Sequence, residues 1–509
     1  MADKLPSLAG DRSDKNYLVG SDVLHLVTSG MYTNPLTVYR EYVQNAADAI
    51  ASSQTRNGRV VIALDIGKLC VQIRDNGPGL SYREAQRELI PISKSRKHRR
   101  RDRGFRGIGR LCGLAFGTSV SFLTRRSKND PVTKVTWNRV SLQNGIDKNL
   151  SVEKTILQST TVEKLKEGDY PPNFFEVQIH GISRYAAAAV LNKEVVRNYI
   201  GETCPVPFGT DFPYANNVLN LLGKNSEQVL AIDIRIDGEE TPITRLHGES
   251  VAFSGDRIDK FTDFEAIKIP GLNSNNYAAI GWMVHTSYLG ALPAKAGIRC
   301  LRARCGNIQI GDESVFDHLF SEVRFNRWCT AEVHILDPRI VPNGRRDYFE
   351  PGAHLRNLEN HLSALCRKLE QRVRVSSQDR NRQRNFQTFL EKMEESYKLA
   401  TSGYLTADVA RQFAGDKIAE IEQYKVKCQH TGDAGNIKAL EKWEKKFAPS
   451  NIRARRKNSL SGVKSSEISI YRGIFEILAQ ASSSPQEAIK TIESILKHKS
   501  SNSPKRRKR

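Results

Sequence analysis

With 509 residues the chain has room for about three domains and a sizeable core. Its 39% apolar and 26% charged residues are those of a soluble globular protein, and no apolar run approaches the ~18 residues of a bilayer span. The formal net charge of +22 makes polyanions the expected partners: nucleotides, nucleic acid or acidic proteins.

The opening MADKLPSLAGDRSDKN has no apolar centre, so it does not read as a signal peptide. A cytoplasmic protein without membrane contact is the expectation, with the nucleus as the alternative in a eukaryote. The eight cysteines are scattered, with no pair two residues apart and no histidine spacing suited to zinc, which predicts reduced, partly buried thiols. Charge is uneven. Residues 375–509 carry +12 of the +22, and the last thirteen, KHKSSNSPKRRKR, hold seven bases and no acid. Such a tail is expected to be disordered, and either to touch an anionic partner or to serve as a solvated end.

In chain order, residues 33–53 have a helical pattern, and RVVIALDIGKLCVQIRD reads as two β-branched strands joined by a turn at Gly67-Lys68. A further helix follows Ser81. A basic, glycine-rich passage runs to Gly117, and SVSFLTRR and TKVTWNRV resume the strands. This order predicts an α/β sandwich with a largely antiparallel sheet covered on one face. A second region has helical residues near 186–200 and strand-like VLAIDIRID, YAAIGWMVHTS and GIRCLRARCGNIQIGD. From about Ala353 the chain is helical and charged. Phe386, Phe389, Met393 and Tyr397 lie at helical spacing, as a core stripe or a dimer face. NSLSGVKSS looks like a link, and SSPQEAIKTIESIL has Ser484 as helix cap, Pro485 at the first position and Glu487 three residues after the serine.

Three stretches carry chemistry. In REYVQNAADAI, Glu41, Asn45 and Asp48 share one helix face, while Val43, Ala46, Ala47 and Ile50 serve the packed side. In RDNGPGL, Asp75 can accept a hydrogen bond from an exocyclic amine, and Gly77 and Gly79 let a flat ring approach the backbone. In GFRGIGRLCGLAFG, Gly104, Gly107 and Gly109 precede an apolar helix predicted to start near Arg110, and free N–H groups there can cradle phosphates.

ExxxNAxDA, then DxGxG, then GxxGxG within some 70 residues resembles the nucleotide site of the GHKL ATPases, the Bergerat-fold family of gyrase, the ninety-kilodalton heat-shock chaperones, histidine kinases and MutL. The resemblance implies ATP and Mg2+ as ligands. It makes Glu41 the general base that activates water, Asn45 the magnesium ligand, Asp48 a supporting residue and Asp75 the reader of the adenine amine. Gly77 and Gly79 would flank the base, and Gly104, Gly107 and Gly109 would wrap the triphosphate. A base at position 41 argues against a histidine kinase. In the family the segment between the second and third motifs is a mobile lid. Here it spans about residues 89–110, with seven Lys or Arg among the ten residues from Lys94 to Arg103, and Ser93 to Lys97 resemble the lid's serine and lysine. The fourth motif, a Gly-Thr pair opening a late strand, has two imperfect counterparts: Thr160 and Thr161, or the phenylalanines of NFFEVQIHGI.

GIRCLRARCGNIQIGD followed by RFNRWCTAEVHILDPRIVPNGRRDYFE looks like the middle domain of the ninety-kilodalton chaperones. The family's catalytic arginine then falls on Arg346, with Arg345 a competitor and Lys295 a weaker counterpart of the switch lysine of gyrase and MutL. The expected domains are 1–184 for ATP binding, 185–352 for an α/β middle domain, 353–496 for a helical region and 497–509 for the tail. The expected activity is ATP hydrolysis by a homodimeric, chaperone-like clamp on a protein client. The alternative is a nucleic-acid clamp of MutL or MORC type, contacting its partner through the basic lid and tail.

Overall fold

The structure is a computed structural model and describes residues 24, 31–53, 57–92, 109–166, 168–223, 231–253, 256–273, 275–452, 460 and 463–501. The basic lid from Ser93 to residue 108, with Gly104 and Gly107, four of the nine residues of the NSLSGVKSS link (458, 459, 461 and 462) and the tail from residue 502 lie outside the described residues. The chain is mixed α/β and divides into two compact units, Met1–Arg374 and Val375–Arg509.

The first unit holds two main sheets. The seven-stranded one has the order β5-β4-β3-β6-β2-β1-β7 and is antiparallel except where β1 and β7 run parallel. Its strands are β1 (Arg59–Asp65), β2 (Cys70–Asp75), β3 (Ser119–Arg125), β4 (Val132–Asn138), β5 (Thr160–Leu165), β6 (Phe174–His180) and β7 (Asp233–Ile236). The helix α1 (Thr37–Ser52) lays Val38, Tyr39, Tyr42, Val43, Ala46, Ala47 and Ile50 into one core with Val60, Ile62, Val71, Ile73, Val120, Phe122 and Val177 of the sheet. The β1–β2 hairpin turns where the sequence predicts. Asp65 Oδ1 accepts the Lys68 N–H, and the left-handed position falls on Leu69 rather than on Gly67. The helix α2 (Tyr82–Leu89) is closed by a capping box of Ser81 and Glu84.

Two sequence expectations differ from the structure. The apolar helix predicted near Arg110 is a seven-residue 3-10 helix, Gly109–Ala115. Its glycines favour a short, tight turn, and the Gly113 N–H is spent on the Tyr42 hydroxyl instead of on an α-helical carbonyl. VLAIDIRID, read as part of the second region, supplies β7 to the first sheet, where its Ile234 and Ile236 are fully buried.

Between β4 and β5 lie α3 (Arg139–Asp147) and α4 (Val152–Ser159), and between β6 and β7 lie α5 (Arg184–Val190), α6 (Lys193–Thr203) and α7 (Ala215–Leu222); a small hairpin of β8 (Ser250–Ala252) and β9 (Ile258–Lys260) follows β7. The five-stranded sheet has the order β10-β11-β14-β12-β13, from β10 (Asp263–Pro270), β11 (Tyr277–His285), β12 (Cys300–Cys305), β13 (Ile308–Ile310) and β14 (Thr330–Ile335). The first part of α8 (Ala353–Thr401) covers this sheet's core with Leu355, Leu358, Leu362, Cys366, Leu369 and Val373.

The second unit comprises the remainder of α8 with α9 (Ala407–Thr431), α10 (Ala434–Phe447), α11 (Ile468–Ala481) and α12 (Pro485–Ser501). Phe386, Phe389, Met393 and Tyr397 pack inside this unit against Ile421, Leu440 and Phe447, the core alternative for that stripe. All eight cysteines are free thiols, seven of them buried. Among the described residues no helix is long and apolar enough to cross a membrane, and no cluster of three or more His, Cys, Asp or Glu is arranged to hold a metal.

Candidate active site

The α1 helix puts its polar residues where its apolar face cannot. Glu41 is 5% exposed and Asp48 is 8% exposed, with Asn45 half-buried between them. The helix is fixed to the 3-10 turn by Tyr42, whose hydroxyl accepts the Gly113 N–H and donates to the Arg110 carbonyl, each at 3.0 Å. That tie brings Gly109 against the carboxylate. A Cβ at position 109 would lie 2.3 Å from Glu41 Oε2, so only glycine permits this approach.

A second contact reaches Glu41 from the far side of the unit. After β14 the chain forms a hairpin closed by a Pro342–Phe349 bridge, with the Arg346 N–H donating to the Asn343 carbonyl and Asn343 Nδ2 donating to Asp347. Arg346 occupies the left-handed region at φ +57°. Its Nε lies 3.8 Å from Glu41 Oε1. Arg40 Nε lies 3.7 Å from the same oxygen, while Arg40 Nη2 donates to the Arg345 carbonyl at 3.2 Å. Arg345 contributes this backbone atom, and its side chain is exposed. Lys295 is exposed on the 3-10 turn Ala294–Ala296. Of the cations weighed from the second sheet, Arg346 is the one the fold brings to Glu41.

The residues expected to meet the adenine, Asp75, Gly77 and Gly79, lie at and just after the end of β2. Asp75 is buried and accepts the Gly77 N–H at 2.9 Å. Burial pushes its carboxyl up to about 7, with that hydrogen bond working the other way. A Cβ on Gly77 would meet Asp75 Oδ1 at 2.7 Å and Ala49 at 3.3 Å. Gly79 has φ +63°, and a Cβ there would fall 2.0 Å from the Arg125 carbonyl oxygen. Both positions are thus packed too closely against their neighbours to carry a side chain. Strand pairing separates the two fourth-motif candidates: Phe175 sits directly opposite Asp75 on β6, whereas Thr160 and Thr161 lie on β5 at the far edge of the sheet.

Sequence reasoning passed over several neighbours. Arg40 precedes the glutamate and is almost fully buried, an unusual state for arginine. Tyr32 is buried within electrostatic reach of Glu41, Arg346 and Arg40, and burial raises its phenol far above the ordinary range. Burial likewise pushes the Cys112 thiol well up, and the Glu41 carboxylate adds to it. Gln44 is 1% exposed, and among the described residues neither of its amide atoms has a hydrogen-bond partner. It lies one helical turn from both Arg40 and Asp48, so unspent polar atoms flank the candidate site. Adjacency to the motif was the available signal for Arg40 and Gln44. Tyr32 and Cys112 had none.

Residues 32–169 match the family described as Histidine kinase-, DNA gyrase B-, and HSP90-like ATPase. This segment is a GHKL ATPase domain. The chain is similar to the Chaperone protein HtpG of Acinetobacter baylyi, 36% identical over 96 residues, which cover 16% of this chain and 15% of that protein. It is also similar to the DNA mismatch repair protein MutL of Bacteroides fragilis, 32% identical over 130 residues, covering 24% of this chain and 20% of the relative. The chain thus spans a fifth or less of the length of these curated relatives. The GHKL domain accounts for the α/β sandwich and for the expectation of a bound nucleotide.

Proposed function

We propose that the protein is a magnesium-dependent ATPase that acts as a nucleotide-gated, chaperone-like clamp on protein clients, working as a homodimer in the cytoplasm. The observation that carries this reading is the meeting of Arg346, borne by the hairpin after β14, with Glu41 on the helix of the GHKL domain. A hydrolytic site needs an oriented water, a base and positive charge at the terminal phosphate more than covalent help. Glu41 takes the proton of the attacking water. Arg346 offers its planar guanidinium to the charge spread over the transferring phosphoryl group. Asp75 accepts the hydrogen bond of the adenine amine, with Gly77 and Gly79 giving the ring access. Gly104, Gly107 and Gly109 wrap the phosphates, and Asp48 supports the helix face. Asn45 would hold the magnesium ion, whose charge offsets that of the phosphates when bound.

The Arg346 guanidinium reaches the Glu41 carboxylate. A terminal phosphate is a stronger partner for it than a carboxylate at 3.8 Å. Its transfer from one to the other links ATP binding to the position of the second sheet, which is the gating a clamp requires. A second reading, a nucleic-acid clamp, is supported by the +12 charge of residues 375–509 and by the likeness to MutL.

Both readings are tested together by ATP turnover with Mg2+, on the intact chain, with unfolded protein, duplex DNA or RNA added. Glu41→Ala should still bind ATP and lose ~10²- to 10⁴-fold in turnover; undiminished hydrolysis would sink the assignment. Stimulation by unfolded protein supports the chaperone-like reading. Stimulation by DNA that fades steeply as salt rises supports the other.

A further inference from the structure

Arg346 faces Glu41 from a left-handed backbone conformation that is unfavourable for a non-glycine residue, so something must hold it there. The hairpin's own turn is part of the answer. The rest lies on the short edge strand β13. The Gly311 N–H, just past β13, donates to the Arg346 carbonyl at 2.8 Å. Gly311 itself has φ +67°, and a Cβ on it would lie 2.7 Å from the Asp347 carbonyl oxygen, so the hairpin is seated directly on this residue.

Gly311 is anchored in turn. Gln309, 1% exposed, donates through Nε2 to the Gly311 carbonyl at 3.4 Å, and its Oε1 accepts from Arg302 Nη1 at 2.9 Å. The same Nη1 donates to the Glu202 carboxylate on α6, and Arg304 Nη2 donates to the Glu202 carbonyl at 2.6 Å. Helix α6 packs on α1, where Tyr199 lies in electrostatic reach of Arg40 and hydrogen-bonds Thr37. The path therefore closes on itself: catalytic helix, α6, Glu202, Arg302, Gln309, Gly311, Arg346 and back to Glu41. A buried guanidinium is costly to leave without its partners, so Arg302 ties Glu202 on α6 to Gln309 on β13.

We propose that Gln309 and Gly311, held by Arg302, are positioning residues that set Arg346 against the reacting phosphate and transmit the placement of α6 to it. This rests on the reading of Glu41 and Arg346 as the hydrolytic pair. None of the three is argued to touch nucleotide. Their effect is on the arginine's aim, where a displacement of about 1 Å can cost on the order of a hundredfold in rate.

The test uses the full chain and three measurements: ATP affinity by calorimetry, turnover under saturating ATP, and hydrogen exchange of the peptide covering residues 343–350. Gln309→Met keeps the volume and removes both hydrogen bonds; Gly311→Ala pushes on the Asp347 carbonyl directly. Both variants should bind ATP within about twofold of the parent, turn it over at least about tenfold more slowly, and exchange faster in the hairpin. In an Arg346→Ala background neither should slow turnover further. Parent-like turnover and exchange in Gln309→Met, or an equal rate loss in the Arg346→Ala background, would overturn the proposal. Glu41→Ala separates the two failures. If it hydrolyses ATP normally the hydrolytic reading falls; if it is inactive while Gln309→Met matches the parent, only the positioning role falls.

Discussion

Asp75 holds its proton up to about pH 7 because burial penalises its charged form. Its ordinary value is 3.8, so between pH 4 and 7 an unfolded chain has released this proton while the native protein keeps it. The native state binds more protons in that window, and its stability must fall as pH rises through it. Above pH 7 the full cost of the buried charge is present, on the order of a few kcal/mol at most. Asp75→Asn should remove this slope and raise the melting temperature at pH 7.5 relative to the parent, with little difference at pH 4. The same variant should lose adenine-nucleotide affinity, because a neutral amide oxygen is a weaker acceptor than a carboxylate and the Nδ2 donors beside it face the amine. Parallel melting curves against pH for parent and variant would show that this buried acid does not titrate as described. The Asp75 carboxyl, proposed to read the base, is thus a local cost of folding, as sites built for a ligand often are.

At the level of elements, the coupling between α1 and the 3-10 turn Gly109–Ala115 is the one on which both halves of the site depend. Tyr42→Phe deletes a buried hydroxyl that serves two backbone groups and leaves the Gly113 N–H without it. The expected loss is ~1–3 kcal/mol in urea unfolding. ATP should bind more weakly as well, because Gly109 would no longer be held against Glu41; a variant with parent-like stability and affinity would show the tie to be dispensable. This coupling marks the limit of what the sequence made readable. The three motifs, the β1–β2 hairpin and the capped α12 follow from local pattern, because each is specified by residues within a turn or two of one another. The 3-10 geometry does not, since a tyrosine 71 residues away decides where an N–H of GRLCGLA is spent. Arg40 and Gln44 were hidden for a similar reason. In a sequence they look like solvated helix residues, and only tertiary packing buries them.

For the whole molecule, the paired sheets matter more than their order in the chain suggests. The Glu332 carboxylate on β14 lies under Arg245, Arg304, His334 and His247. Burial opposes its ionisation, but the Arg304 guanidinium and the two imidazoles outweigh this and hold it at about 2. No periodicity in the sequence announces that cluster, because its members are gathered from strands and loops as far apart as residues 245 and 334. The parallel partner of β1 has a comparable origin. The last motif-bearing residues precede position 180, yet β7 arrives from Asp233–Ile236 to pair with Arg59–Ile62. A protein shortened to the motifs alone would therefore present β1 with a bare ladder of amides and carbonyls beside apolar Val60 and Ile62, an open invitation to stick to other copies. A fragment ending at residue 184 should aggregate on purification, whereas one ending at Arg374 should elute as a discrete species and bind ATP. Size-exclusion chromatography and calorimetry on the two would decide it, and anyone trimming this protein for crystals would be advised to cut at the later position.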